Sequence, residues 1–452
     1  MYLDQATIIA PATATGGALA VIRLSGTEAV AIADRLFVGR KPLAETSSYT
    51  ARFGTIRDGE RVVDEVVATL FRAPQSYTGE DTVEFSCHGS SYIVGEVLRL
   101  AIAAGARMAE PGEFTRRAYL NGRLDLSQAE AVADVIASST RTAHTLATQQ
   151  LRGGYSSALD ALRDELLELT ALMELELDFS EEDVEFADRN RLRETMHHIN
   201  TEIERLRRSF ALGNAIKEGV AVALVGAPNV GKSTLLNRLL QEERAMVSEI
   251  AGTTRDVIEE RFTIEGILFR LLDTAGMRTT DDRLEQMGIE RTMQSIERAQ
   301  IIVWLVDATT LSATDAMPTP NFPLREDQQL LTVVNKTDLH PEQRLPEGVL
   351  AISALQGEGM DALCAALRHA VPTESLDEGA AIVSSARHFE ALNTAAEALQ
   401  RAQTGLHEGL PTDLLSEEIR AVIAAIGSIT GRGTILPEEV LQTLFSHFCI
   451  GK

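Results

Sequence analysis

The stretch Val220-Ala-Val-Ala-Leu-Val-Gly226-Ala-Pro-Asn-Val-Gly231-Lys232-Ser233-Thr234 decides how this chain is read. The uninterrupted apolar run Val220 to Val225 has the character of a parallel strand buried on both faces. It leads directly into the pattern G-x-x-x-x-G-K-[ST] and then into a helical segment, Ser233 to Leu240, which is the context that pattern requires. The glycines let backbone N–H groups curl around phosphates, and the helix points its positive end at them. Lys232 would neutralise the β and γ oxygens, and the Ser233 hydroxyl would take one position on Mg²⁺. Such a loop specifies a nucleoside triphosphate without specifying the base.

Similar apolar runs recur at Leu268 to Leu272, Ile301 to Val306 and Leu330 to Val334, alternating with helical stretches until about Val371 and Pro372. That is the grammar of a doubly wound α/β unit. Asp273-Thr274-Ala275-Gly276 follows the second run, where a carboxylate can reach the magnesium and a glycine amide the γ-phosphate. Asn335-Lys336-Thr337-Asp338 follows the fourth, and Ser353-Ala354 comes after a strand near Leu350. A carboxylate at Asp338 accepts hydrogen bonds from guanine N1–H and the exocyclic amine, donors that adenine lacks there, so GTP is favoured over ATP. The loop residues Asn229, Val230, Gly231, Lys232, Ser233 and Thr234 complete this set.

In these four ordered elements the chain resembles the TRAFAC class of small GTPases, in the branch that contains Era and EngA. Gly252-Thr253-Thr254-Arg255-Asp256 stands where that branch carries its first switch. The resemblance implies that Ser248, Glu249, Ile250, Ala251, Gly252, Thr253 and Thr254 line the nucleotide, with Thr254 completing the Mg²⁺ shell. Where Ras-like enzymes have a water-positioning glutamine this chain has Met277, which cannot orient water. Asn229 resembles the asparagine that places K⁺ against the phosphates in cation-dependent members, with backbone oxygens of Ser248 and Ile250 and the side chain of Thr253 around the ion. An arginine finger in that place is worth ~10³ to 10⁵ in rate. Glu285, in the polar segment from Arg278 onward, is a carboxylate able to orient the attacking water. Taken singly, Asn229 is a loop residue and Glu285 a helix-surface acid.

Outside this unit the character changes. The first 120 or so residues contain β-branched and aromatic runs, Ala18 to Leu24, Val66 to Leu70 and Val83 to Ser86, and read as mixed α/β. Leu159, Leu162, Leu166, Leu169 and Leu172 recur at helical spacing, and Ala380 to Leu406 and Leu414 to Ile426 are again amphipathic. The acidic run Asp178 to Glu185 reads as a solvated helix end, and Gly213 to Gly219 as a break. The expected organisation is an amino-terminal domain over 1–120, a helical domain over 121–217, an inserted GTPase domain over 218–376, and the second helical part over 377–452.

The 452 residues carry 42 Lys plus Arg against 66 Asp plus Glu, a net charge of −24, so bulk charge does not pull the chain onto nucleic acid or anionic lipid. Only Arg189 to Arg208 is locally basic. No stretch approaches the ~20 apolar residues of a membrane helix, and the amino terminus lacks a secretory pattern, which points to the cytosol. The three cysteines, Cys87, Cys364 and Cys449, are too scattered for a disulfide framework. Cys87 and Cys364 read as core. Cys449 superficially copies a prenylation box, but lysine in last place and the absence of a polybasic stretch argue against that.

The whole chain resembles the tRNA modification GTPase family known as MnmE or TrmE. The residues that carry this are Ala20-Val-Ile-Arg23-Leu-Ser-Gly26, Tyr77-Thr-Gly79-Glu80-Asp81, Pro111-Gly-Glu-Phe-Thr115, Asn121-Gly-Arg123-Leu-Asp-Leu-Ser-Gln-Ala-Glu130 and Cys449-Ile-Gly-Lys452. The resemblance implies an amino-terminal domain that binds a one-carbon tetrahydrofolate (5-formyl or 5,10-methylene) through Arg23, Glu80, Arg123 and the terminal Lys452. Arg123 departs from the lysine frequent in the family, keeping the charge while changing the geometry. It further implies a role for the Cys449 thiol in the chemistry, a homodimer, and a separate FAD-binding subunit, MnmG or GidA, in a heterotetramer. Together these add an aminomethyl or carboxymethylaminomethyl group to C5 of the wobble uridine, position 34, of certain tRNAs. The competing reading is a ribosome-assembly switch of the Era or EngA type, which would bring a KH-like RNA domain with a GXXG loop in a basic setting; the helical flanks show neither.

Overall fold

A computed structural model describes residues 6–178, 189–242, 260–272, 285–311, 317–325, 328–342, 345–371, 381–433, 438–446, 448 and 451. They fall into two units, divided within helices after Ala133 and after Ile426.

Alternation builds the first unit. Its elements are β1 (Ile8–Pro11), β2 (Leu19–Ser25), α1 (Ala29–Leu36), β3 (Phe37–Gly39), β4 (Thr50–Asp58), β5 (Arg61–Phe71), β6 (Thr82–His88), α2 (Ser91–Ala103), β7 (Arg107–Met108), α3 (Glu113–Leu120) and the start of α4 (Leu126–Ala137). Along β5, Val66, Ala68 and Leu70 are buried while Glu65 and Val67 face outward, the period-two pattern of a half-covered antiparallel sheet. The seven strands run β3-β4-β5-β6-β2-β1-β7, antiparallel except for the β1–β7 pair. Ile22, Leu24, Phe85, Val30, Leu36 and Val97 form the core between the sheet and helices α1 and α2. Cys87 belongs to this core, as expected. Burial first, and then the charge of Asp64, push its thiol up to about 11, which makes it a poor nucleophile.

In the second unit come α5 (Arg141–Leu151), α6 (Gly154–Asp178), α7 (Arg189–Glu218), β8 (Val220–Gly226), α8 (Lys232–Glu242), β9 (Glu260–Ile264), β10 (Ile267–Leu271), α9 (Glu285–Arg298), β11 (Ile301–Asp307), β12 (Gln329–Asn335), β13 (Leu350–Ala351), α10 (Met360–His369), α11 (Ala386–Glu408) and most of α12 (Thr412–Thr430). The six-stranded sheet runs β13-β12-β11-β8-β10-β9. Every pair is parallel except β9 with β10. The doubly wound reading holds, and β8 is buried along Val220 to Val225 as its apolar run requires. The antiparallel edge strand β9 has no apolar run to mark it, only a short and weak alternation in which Phe262 and Ile264 are buried and Arg261 is exposed. Cys364 is partly buried against the core of this unit. The last helix, α13 (Glu438–Ser446), returns to the first unit, where Leu441 and Phe445 pack with Leu126 and Ala129 of α4.

Two expectations change. The break expected from Gly213 does not occur, because α7 continues through Gly213 and stops only at Gly219, whose φ is +87°. Gly213 serves close approach instead: a Cβ there would lie 2.0 Å from the carbonyl oxygen of Val383. Likewise α11 begins at Ala386, later than Ala380. Residues 381–385 are held as an extended strap, with Gln150 Nε2 donating to Ile382 O at 3.1 Å and to Ser384 Oγ at 3.0 Å, and Val383 N donating to Ser209 Oγ at 3.0 Å. Ala380 itself and the acidic residues after Asp178 lie outside the described residues. Among those described, no helix is long and apolar enough to cross a membrane.

The strap gives a signed prediction. Alanine in place of a helix-interior glycine ordinarily gains ~1 kcal/mol. Gly213→Ala is expected instead to cost about 1–3 kcal/mol, because the methyl group meets backbone that cannot swing aside. A thermal melt showing a raised midpoint would contradict this.

Candidate nucleotide site

The loop between β8 and α8 takes its shape from its neighbours. At Gly226 a Cβ would sit 2.5 Å from Leu305 O, so only glycine lets β8 end this close to β11. Asn229 and Gly231 both have positive φ, +61° and +103°, and the chain curls before Lys232 opens α8. Leu235 N donates to Gly231 O at 2.9 Å. The amides before it belong to the first turn, whose N–H groups a helix cannot pair internally. Ser233 and Thr234 stand exposed there. Lys232 Nζ donates to Gly226 O at 2.7 Å and Ala227 O at 2.9 Å, closing the loop on itself. Burial alone lowers its pKa, and an anion in the loop would oppose that shift.

Asn335 joins this loop to the far side of the site. Its side chain, 3% exposed, donates from Nδ2 to Val230 O at 2.8 Å and accepts at Oδ1 from Ala354 N at 3.0 Å. Ala354 and the fully buried Ser353 follow β13, and Ser353 Oγ accepts from Gln356 N at 3.2 Å. Lys336 turns the chain with φ +66°. Thr337 anchors the turn through its N and Oγ1, both donating to Ile352 O, at 3.2 and 2.9 Å. Half-buried Asp338 lies in the short 3-10 turn that follows. The expected residues of the phosphate loop and of the base-reading loops thus converge at the carboxyl ends of parallel strands, where doubly wound sheets bind ligands.

In the first unit, Arg23 and Glu84 are paired across β2 and β6, with both Nε and NH2 at 2.8 Å from Glu84 Oε1. The guanidinium carbon also lies 5.3 Å from the Tyr77 ring centre and 5.6 Å from that of Phe114, within cation–π range. Glu80 accepts from Ser25 Oγ at 2.7 Å and, through both oxygens, from Arg117 at 3.1 Å. Arg117 is itself buried against Glu113, 1% exposed, which Arg107 also grips at 2.6 Å. Burial would raise the Glu113 pKa, yet hydrogen bonds from Arg107, the Glu110 amide and Arg117 bring it below its ordinary value. The exposed Arg123 lays its stem beside Gly79, where a Cβ would be 3.2 Å from Arg123 Cγ. At Gly451 a Cβ would lie 2.0 Å from Pro11 O, and Pro11 pairs with Ile22, next to Arg23. Arg23, Glu80 and Arg123 therefore belong to one unit, and Gly451 lies against Pro11 of the same unit.

A family model described as GTP-binding protein TrmE N-terminus matches residues 7–123, and one described as MnmE helical domain matches residues 126–449. A relative from Bacteroides thetaiotaomicron, called tRNA modification GTPase MnmE, is 49% identical with all of both chains covered. The chain belongs to the MnmE family. A relative of the same name from Flavobacterium johnsoniae is 45% identical, again over all of both chains. Among solved structures, Era from Aquifex aeolicus is 28% identical over 39% of this chain and 65% of that one, with a TM-score of 0.23.

Several residues singled out in the sequence lie outside the described residues of this MnmE-family chain: Ser248 to Thr254, Asp273 to Gly276, Met277, Cys449 and Lys452. Glu285 opens α9, and its side chain is likewise outside them. Two groups at these sites were not singled out. Arg117 and Glu113 form the buried floor beside Glu80; Glu113 stands in the Pro111–Thr115 stretch, but only burial shows what the pair does. Asp307, at the end of β11, pairs with Lys336 Nζ at 2.5 Å.

Asn335→Ala removes the partner of one buried acceptor and one buried donor, each worth about 1–3 kcal/mol when left unmade. The expected result is guanine nucleotide affinity weakened by roughly 10- to 100-fold or more, read by titration with a fluorescent GDP analogue. Unchanged affinity would show that the bridge is not part of the site.

Proposed function

We propose that this chain is a GTP hydrolase acting in tRNA modification, and that it works in the cytoplasm as a homodimer with an FAD-binding partner of the MnmG type. On this reading the pair adds an aminomethyl or carboxymethylaminomethyl group to C5 of the wobble uridine. Support comes from family membership over the full length, and above all from one observation. The buried Asn335 amide ties the phosphate loop to the loop after β13, so that triphosphate and base are read by one rigid assembly. An Era-type assembly switch would share that site, but the flanks matched here are those of MnmE proteins.

In hydrolysis, water attacks the γ-phosphorus and the bond to the β–γ bridging oxygen breaks, giving GDP and phosphate. Lys232 releases its carbonyl partners to take the phosphate oxygens, and the amides at the start of α8 face them. Glu285 is assigned the orientation of the attacking water. Mg²⁺ and K⁺, when bound, supply positive charge to the developing transition state. Ser233 offers the exposed hydroxyl that suits the first, and the positive φ of Asn229 is compatible with an amide turned toward the second; Thr254, Ser248, Ile250 and Thr253 would complete the two shells.

For the folate, Arg23, Glu80, Arg123 and Lys452 are the proposed contacts. The structure qualifies two of them: Arg23 is already neutralised by Glu84, and Glu80 already serves Arg117 and Ser25. A folate glutamate tail would have to compete for Arg23, while Glu80 keeps spare lone pairs for a pterin N–H edge. Cys449 is assigned to the modification chemistry. With a net charge of −24, the chain is suited to leave much of the tRNA surface to its partner.

Two measurements test this. Deleting the gene should remove the C5 adduct from wobble uridines by nucleoside mass spectrometry, with restoration by the wild-type gene but not by Lys232→Ala; an adduct that persists in the deletion strain overturns the tRNA role. GTP turnover should be faster in KCl than in NaCl, and the difference should vanish in Asn229→Ala. Equal rates in both salts remove K⁺ from the mechanism.

A further inference from the structure

We infer that Asp307 is a positioning residue for guanine recognition, one that acts by holding the ammonium of Lys336. The inference deepens the GTP reading of the site and rests on it. Asp307 is the last residue of β11 and lies in register with Asn335 at the end of β12, so its side chain stands beside the turn that begins at Lys336. The two oxygens of the carboxylate are divided. Oδ1 accepts from Thr309 N at 2.9 Å and Thr309 Oγ1 at 2.8 Å, which fixes the group, and Oδ2 takes Lys336 Nζ at 2.5 Å. The Asp307 side chain is 14% exposed and that of Lys336 is 32%. The pair is therefore only partly screened by water.

The arrangement answers a problem built into the Asn335-Lys336-Thr337-Asp338 turn. Lys336 sits at φ +66°, a conformation that a side-chain-bearing residue adopts only when its surroundings impose it. Two positions on is Asp338, whose carboxylate must stay available to accept two hydrogen bonds from the guanine edge. A free lysine ammonium in the same turn would be drawn to that carboxylate. Asp307 supplies a competing partner on the neighbouring strand, already held by Thr309, and draws the ammonium away from the base-reading group. Pinned at both ends, the four-carbon stem of Lys336 also becomes a fixed apolar edge, and a planar base can lie against it without first ordering a flexible chain.

The test uses the full-length protein and fluorescent GDP, IDP and ADP analogues; inosine lacks the exocyclic amine that Asp338 would read. In Asp307→Asn, GDP affinity should fall by about tenfold, as expected when one member of a partly desolvated charge pair is neutralised. The preference for GDP over IDP should shrink, and KM for GTP should rise more than kcat falls. Asp307→Ser keeps a hydroxyl acceptor for Thr309 while removing the charge; it should melt like the wild type and share the binding defect. Asp307→Asn combined with Lys336→Met should bind no more weakly than Lys336→Met alone. Wild-type affinity in Asp307→Ser, or additive losses in the double variant, overturns the inference while leaving the GTP reading intact. A wild-type protein that does not prefer GDP to ADP overturns both.

Discussion

The proposed nucleotide site depends on a single buried amide. Asn335 must donate to the phosphate loop at Val230 and accept from the backbone of Ala354. Asparagine alone offers a donor and an acceptor on one short planar group: aspartate cannot donate, and glutamine is a methylene too long for the gap. Gly231 is fixed by the same contact, because a Cβ there would lie 2.2 Å from Asn335 Nδ2. Gly231 and Asn335, the first residue of the Asn335-Lys336-Thr337-Asp338 turn, are thus two halves of one packing problem. Motifs more than a hundred residues apart in sequence are coupled by one side chain.

The first unit solves a comparable problem with charge. Glu113 and Arg117 are almost fully buried, and each would be costly alone. They persist because the cluster closes: Arg107 and Arg117 both serve Glu113, Arg117 goes on to Glu80 and the carbonyl of Ala6, and Ser25 completes Glu80. Removing one member would leave its buried neighbour with a single partner and part of its hydrogen-bonding capacity unmet, a larger loss than the worth of the bond itself. The result is a carboxylate whose position is set from below, on the side of the unit where Arg23, Arg123 and the tail residue Gly451 also lie.

How much of this was legible follows from what each feature writes into sequence. β8 and β11 are buried on both faces and so appear as unbroken apolar runs, whereas β9 is an edge strand and shows only weak alternation. The loop motifs were readable because phosphate binding demands glycines at fixed spacing. Gly213 was misread because a glycine that ends a helix and one that admits a neighbouring backbone look alike until Val383 is seen beside it. The pairing of Arg23 with Glu84 and of Lys336 with Asp307 depends on which strands are neighbours and in what register, information that no local pattern carries. Family resemblance supplied the expected folate contacts, but not that Glu80 and Arg23 already have partners.

The acidity of the chain sharpens the role of the phosphate loop. A net charge of −24 sets up a field that opposes the approach of a polyanion, though at physiological ionic strength it is screened beyond about 8 Å. Affinity for a triphosphate must then be generated within a few ångströms, by groups that are already oriented. Lys232 meets that requirement in an economical way. Its ammonium is half-buried and held by two carbonyls of its own loop, so it is partly withdrawn from water before any ligand arrives, and its pKa is lowered by that burial. Under the proposed assignment, phosphate oxygens would restore what burial removed. Part of the cost of desolvating the cation is therefore met during folding, and the exchange of two neutral carbonyls for anionic oxygens is favourable at the moment of binding.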